Sequence, residues 1–185
     1  IGVHIYLALQ ELLAREVNPA EQCTLTVGSM LFGDGATNVI PSVGVLNGTM
    51  RGFNAELIDQ LRKRVEEVSV GTARVFGGDA EVEWLFSSPA MYCDADFTDD
   101  VVRYATDVVG AERMIPKKER ATGSEDFAYF GQKVPSQIFW LGAGVEDKSK
   151  RISNHNPKVL FSEEALPYGA AVYAQCAIQW LKEHK

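Results

Sequence analysis

The sequence is short of the residues that usually announce a metal or redox site. Its three cysteines, Cys23, Cys93 and Cys176, are far apart and form no C-x-x-C pair. That argues against a disulfide framework or a cysteine zinc knuckle and reads as reduced thiols in a cytoplasmic protein. Its three histidines, His4, His155 and His184, make no H-x-x-x-H or H-E-x-x-H pattern. No basic run reaches five residues, the densest being Lys117-Lys118-Glu119-Arg120, and the net charge is −7. That balance speaks against a nucleic-acid or anionic-membrane surface. Ala165 to Leu181 carries no charge, but Pro167, Gln175 and Gln179 interrupt it. It is shorter than the ~20 apolar residues of a membrane span and reads as a buried amphipathic helix. Neither G-x-G-x-x-G nor a P-loop is present, which disfavours a nucleotide-binding α/β protein. The opening Ile1-Gly2-Val3-His4 has no initiator methionine and no charged n-region, so the chain reads as a processed product or part of a longer polypeptide.

What is present is an alternation of helix and strand patterns. A length of 185 residues with 46% hydrophobic and 23% charged content suits one ordinary domain or two small ones. Ile1, Ile5, Leu9, Leu12 and Leu13 share a helical face that Asn18-Pro19 closes. Thr24 and Thr26 alternate with Leu25 and Val27 as a strand reaching about Phe32, followed by the turn cluster Gly33-Asp34-Gly35. A second strand puts Val43, Val45, Asn47, Thr49 and Arg51 on one face. Asn54 is placed to cap a long helix through Leu57, Leu61, Val65, Val68 and Val75, ending at Gly77-Gly78. Val82, Trp84 and Phe86 then alternate with Glu81, Glu83 and Leu85 as a further strand. Ser87 to Asp96 is polar and aperiodic and marks a boundary. Beyond it the pattern predicts a helix capped by Thr98, a short helix capped by Ser124, a buried strand Ile138–Leu141 and a last helix capped by Ser162.

The candidate chemistry is sparse. His155 lies in a loop between Asn154 and Asn156, with Pro157 holding Asn156 extended. An imidazole held this way suits a metal or an oxyanion; a plain surface-loop histidine is the simpler reading. A catalytic zinc needs about three protein ligands, and the chain offers one. Ser124-Glu125-Asp126 reads as acid/base carboxylates or, more cheaply, as a cap with an acidic first turn. Arg51 sits mid-strand, where a guanidinium takes a carboxylate or phosphate partner or faces solvent. Asn38 is a turn-former or an amide donor.

Taken in order, Asn38-Val39-Ile40-Pro41, Thr49-Met50-Arg51, Gly123-Ser124-Glu125-Asp126-Phe127, Leu141-Gly142-Ala143-Gly144 and His155-Asn156-Pro157 resemble one family. It is the zinc-type amidohydrolase and peptidase family of hippurate hydrolase, aminoacylases and auxin-conjugate hydrolases. The resemblance implies an α/β (α+β) fold of two domains. Residues 1–93 would be a ferredoxin-like βαββαβ lid lacking its first strand. Residues 94–185 would be the C-terminal segment of the metallopeptidase catalytic domain. It implies that His155 is a metal ligand. Asn38 and Arg51 would hold the substrate's carboxylate or oxyanion, and Gly123, Ser124 and Glu125 would line the pocket. The implied reaction is amide hydrolysis of an N-acyl amino acid or small peptide. A divalent metal (zinc, or manganese, cobalt or nickel) polarises the carbonyl, and a glutamate is the general base. The family's catalytic glutamate and remaining metal ligands lie upstream of the lid and have no counterpart here. The expectation is therefore no catalytic residue in this chain and no activity from it alone. It would act within a homodimer formed through the lid or beside a companion N-terminal fragment, the alternative being a non-catalytic dimerisation or binding module. A lid without its first strand also predicts that its last strand lacks a neighbour.

Overall fold

The computed structural model describes every residue except Asp34 and Lys118; the middle of the Gly33-Asp34-Gly35 turn and one member of the Lys117–Arg120 basic run thus lie outside the described residues. The chain is mixed α/β and divides into two compact units. The first contains Ile1–Ala90 and Ala121–Asp126; the second contains Met91–Arg120 and Phe127–Lys185.

In the first unit, helix α1 (Gly2–Glu16) leads into strand β1 (Cys23–Phe32), which pairs antiparallel with β2 (Gly44–Gly52). Helix α2 (Ala55–Val75) follows, and the Asn54 side chain caps it by accepting from the Leu57 N–H at 3.2 Å. Past α2, Gly77 takes φ 76°, the left-handed conformation that ends helices and that glycine adopts without a Cβ clash. The core is the apolar stripe of both helices: Ile5, Leu9 and Leu12 from α1, and Leu61, Val65 and Ala73 from α2. The sheet closes it from below with Leu25, Val27, Leu46 and Met50. Burying Leu12 and Leu61, each 2% exposed, contributes about 1.5–3 kcal/mol apiece.

The hairpin register explains how β2 keeps its polar face. Thr24 opposes Arg51 and Thr26 opposes Thr49; after a bulge at Gly28, Ser29 opposes Asn47. The extra residue resets the alternation, so Ser29 returns to the outer face, where its hydroxyl accepts from the Asn47 amide at 3.1 Å. Gly48 allows the strands to close: a Cβ there would stand 2.6 Å from the Thr26 carbonyl oxygen.

In the second unit, α3 (Ala95–Val109) packs against α5 (Leu166–Glu183), with α4 (Ala128–Gly131) between them in sequence. Tyr104 of α3 is 1% exposed. Its hydroxyl donates to the Glu183 carboxylate at 2.7 Å, and Arg103 grips the same carboxylate with two bonds of 2.9 and 2.8 Å. No helix among the described residues is long and apolar enough to cross a membrane.

Several expected features differ. Residues 82–86 and 138–141 form no strand: the sheet among the described residues consists of β1 and β2 alone. Trp140 is 67% exposed and Leu141 44%, so Ile138–Leu141 is not a buried strand. Asp94, not Thr98, caps α3, accepting from the Phe97 N–H at 2.9 Å. Ser124 caps nothing: α4 begins four residues later with no side-chain cap. Ser162 precedes a 3₁₀ turn (Glu163–Ala165) that runs on into α5, and it makes no side-chain cap.

Two outcomes follow from this packing. Gly48→Ala forces the hairpin strands apart and should cost about 1–3 kcal/mol in urea unfolding. The hydrogen bonds from Arg103, with that of Tyr104, hold the folded Glu183 carboxyl down at about 2. This stabilisation is complete above the unfolded value of about 4.3 and is lost as pH falls towards about 2. Glu183→Gln should flatten the fall of the thermal midpoint through that window while leaving its behaviour above pH 6 or so unchanged.

Candidate functional site

Arg51 lies one residue from the end of β2, on the outward face. Its Nη1 donates to the Thr122 carbonyl oxygen at 2.7 Å, across 71 positions of sequence. Thr122 directly precedes Gly123-Ser124-Glu125, and Ala121–Asp126 belongs to the same compact unit as β2. Four of the expected site residues are thereby gathered: Arg51 is tied to the stretch that carries Gly123, Ser124 and Glu125. Gly123 and Ser124 are exposed and Glu125 is half-buried. A Cβ placed on Gly123 would meet no atom within 4 Å, so the backbone there borders open space. A guanidinium carries five N–H donors. The bond to Thr122 orients the group and leaves it capacity for a carboxylate.

Asn38 is placed apart. It sits in the exposed connection between β1 and β2, at the opposite end of the hairpin from Arg51. The run of β2 from Gly44 to Arg51 alone spans roughly 24 Å.

His155 belongs to the second unit and is exposed. Its backbone φ is 66°, and it is the one non-glycine residue in the left-handed region among those described. The segment around it is pinned locally: the Asn156 side chain accepts from the Lys158 N–H at 2.9 Å, and its carbonyl accepts from the Val159 N–H at 3.0 Å. A histidine held in this conformation costs of the order of 1 kcal/mol, and such strain concentrates where a side chain must be aimed. Among the described residues no group of three or more His, Cys, Asp or Glu side chains could hold a metal ion. One imidazole is a single donor, so the described residues do not by themselves fit a zinc, which takes about four ligands.

Sequence reasoning missed two features. The partner of Arg51 is a backbone carbonyl, which leaves no residue signature. The left-handed turn at His155 has none either, since an Asn-His-Asn-Pro string does not fix the sign of φ.

Residues 6–179 match peptidase family M20/M25/M40. The IAA-amino acid hydrolase ILR1-like 2 of Arabidopsis thaliana is 34% identical over 97% of this chain, which covers 40% of that protein. An N-acetyldiaminopimelate deacetylase of Streptococcus suis is 35% identical over 86% of the chain and 41% of its own length. The Bacillus subtilis YXEP protein, described as a dinuclear metal binding peptidase, superposes with a TM-score of 0.74 at 24% identity, over 98% of this chain and 45% of that one. That structural likeness concerns the fold. The chain therefore spans about two fifths of the length of the curated relatives it matches. On the family match along nearly its whole length, the chain belongs to peptidase family M20/M25/M40.

Proposed function

We propose that residues 1–93 are the lid, and residues 94–185 the C-terminal part of the catalytic domain, of a metal-dependent amidohydrolase. Its substrates in this reading are N-acyl amino acids or small peptides. The observation that carries the proposal is the hydrogen bond from Arg51 to Thr122, which joins the outer face of the hairpin to the Gly123-Ser124-Glu125 stretch. The names of the two relatives above support the substrate class, since one is a hydrolase of an IAA-amino acid and the other a deacetylase of N-acetyldiaminopimelate.

In this reading Arg51 offers charge-assisted N–H donors to the carboxylate of the substrate's amino-acid half. The Gly123-Ser124-Glu125 backbone forms the adjoining wall, and the missing Cβ at Gly123 lets substrate approach closely. His155 supplies one imidazole to a divalent metal, zinc foremost. The other donors and the general-base glutamate come from outside these residues, so residues 1–185 alone do not hydrolyse amides. Asn38, at the far end of the hairpin, serves the site of a second copy in a homodimer formed through the lid, donating its amide N–H to an oxyanion there. The three cysteines, all free, suit a cytoplasmic enzyme.

Residues 1–185 incubated with zinc or manganese should release no amino acid from an N-acyl amino acid; metal-dependent turnover by this chain would contradict the proposal. In the longer enzyme, Arg51→Lys should raise KM about tenfold or more, because a lysine cannot reproduce the fork. Gly123→Ala should leave the thermal midpoint unchanged, since there is room for the methyl, yet raise KM; an unchanged KM would remove Gly123 from the pocket. His155→Gly should abolish activity without loss of stability, because glycine accepts the left-handed backbone freely.

A further inference from the structure

His155 is carried on a long loop that closes on itself. An isolated antiparallel bridge pairs Gly144 with Phe161, and beside it the Ser162 N–H donates to the Ala143 carbonyl at 2.8 Å. Residues 145–160 run from one side of that neck to the other, all within the second unit. Apart from one 3₁₀ turn, Lys148–Lys150, the loop has no regular structure, so bonds of its own must hold it in one shape. Its first turn is built around Asp147, whose carboxylate accepts from the Ser149 N–H at 3.0 Å and the Ser149 hydroxyl at 2.7 Å and meets Lys150 at 3.4 Å. Its last turn is built around Asn156, which accepts from the Lys158 and Val159 N–H groups.

Arg151 ties the first turn back to the neck. Its Nε donates to the Val145 carbonyl at 2.7 Å. Its side chain lies along Gly144, where a Cβ would stand 3.2 Å from that Nε and 3.6 Å from Cδ. The Nε–H adjoins the aliphatic stem and lies in the rigid guanidinium plane, so this bond fixes the course of the side chain and not only its charged end. Arg151 on one side and Asn156 on the other thus bracket Ile152–His155. Inside the bracket Asn154 and His155 make a turn, and His155 takes φ 66°. A left-handed histidine persists only where its surroundings over-determine it. With one side of the bracket released, the backbone is free to rotate His155 towards the extended region that side chains with a Cβ prefer.

We propose that Arg151 is a positioning residue: by locking the first turn of the loop to its neck, it sets the left-handed backbone of His155 and with it the direction of the imidazole. The role belongs to the Nε–H donor rather than to the positive charge, because the acceptor, the Val145 carbonyl, is neutral. Arg151 acts through the backbone alone. The inference rests on the amidohydrolase reading for what the imidazole is aimed at, and on the loop geometry for the aiming. Its test reads the conformation of His155 rather than hydrolysis, so the two can fail separately.

The experiment is NMR on residues 1–185, reading the His155 backbone from its amide-to-Hα coupling and its Cα shift. Arg151→Met keeps an unbranched side chain and removes the donor. Arg151→Gln places an N–H donor the same number of bonds from the backbone without the charge. Lys150→Ala removes the neighbouring ion pair to Asp147 and is the control. In Arg151→Met the ratio of left-handed to extended His155 should fall about fivefold, the worth of one net hydrogen bond, while the Ser162 amide at the neck stays protected from exchange. Arg151→Gln and Lys150→Ala should keep the native signature at His155. An unmoved His155 in Arg151→Met overturns the proposal. So does an equal loss in Arg151→Gln, which would make the charge responsible, or in Lys150→Ala, which would mean a general loosening of the loop. In the longer enzyme, zinc affinity measured by chelator competition should follow the His155 conformation across the series. A conformation lost in Arg151→Met with zinc affinity unchanged would remove His155 from the metal site and leave the positioning role of Arg151 standing.

Discussion

An extended backbone carries a donor and an acceptor at every residue, and each needs a partner. That constraint governs both halves of this structure. Where the chain supplies its own partner, as β1 does for β2, a regular ladder forms and its register holds the polar face of Asn47, Thr49 and Arg51 outward. At residues 80–86, which alternate, and at the apolar run 138–141, no sheet forms among the described residues. The first of these segments is held against the helices through half-buried Val82, packed on the core, and Trp84 bonded to Glu66.

The parts of the fold legible in the sequence are those specified locally. The 3.6-residue stripes of α1 and α2, the Asn54 cap and the glycine stop after Val75 depend on near neighbours, and the structure reproduces them. The strand patterns at Val82–Phe86 and Ile138–Leu141 were equally clear, yet a strand is a relation between two segments and period-2 alternation describes only one of them. The caps at Thr98, Ser124 and Ser162 were misplaced for a related reason. Ser, Thr and Asp are interchangeable as caps, and α3 took Asp94, which lies nearer the preceding loop.

The site divides the same way. The family pattern names Arg51, Gly123, Ser124, Glu125, Asn38 and His155 together, but a linear motif says nothing of distance. Arg51 meets the Gly123 stretch through a backbone carbonyl, while Asn38 stands at the far end of a hairpin that is itself more than twenty ångströms long by strand geometry, roughly 3.4 Å per residue. Motifs adjacent in a family's signature therefore need not act in one copy of one site. His155 carries its own mark, a left-handed backbone, and its imidazole stands on the surface.

The central proposal is that His155 is one donor of a metal centre whose other donors lie elsewhere. Calorimetric titration of zinc into residues 1–185, with His155→Ala alongside, tests it most directly. The account predicts no stoichiometric binding at micromolar zinc and no difference between the two proteins. Tight one-to-one binding that the substitution abolishes would show a complete site within this chain and would contradict it.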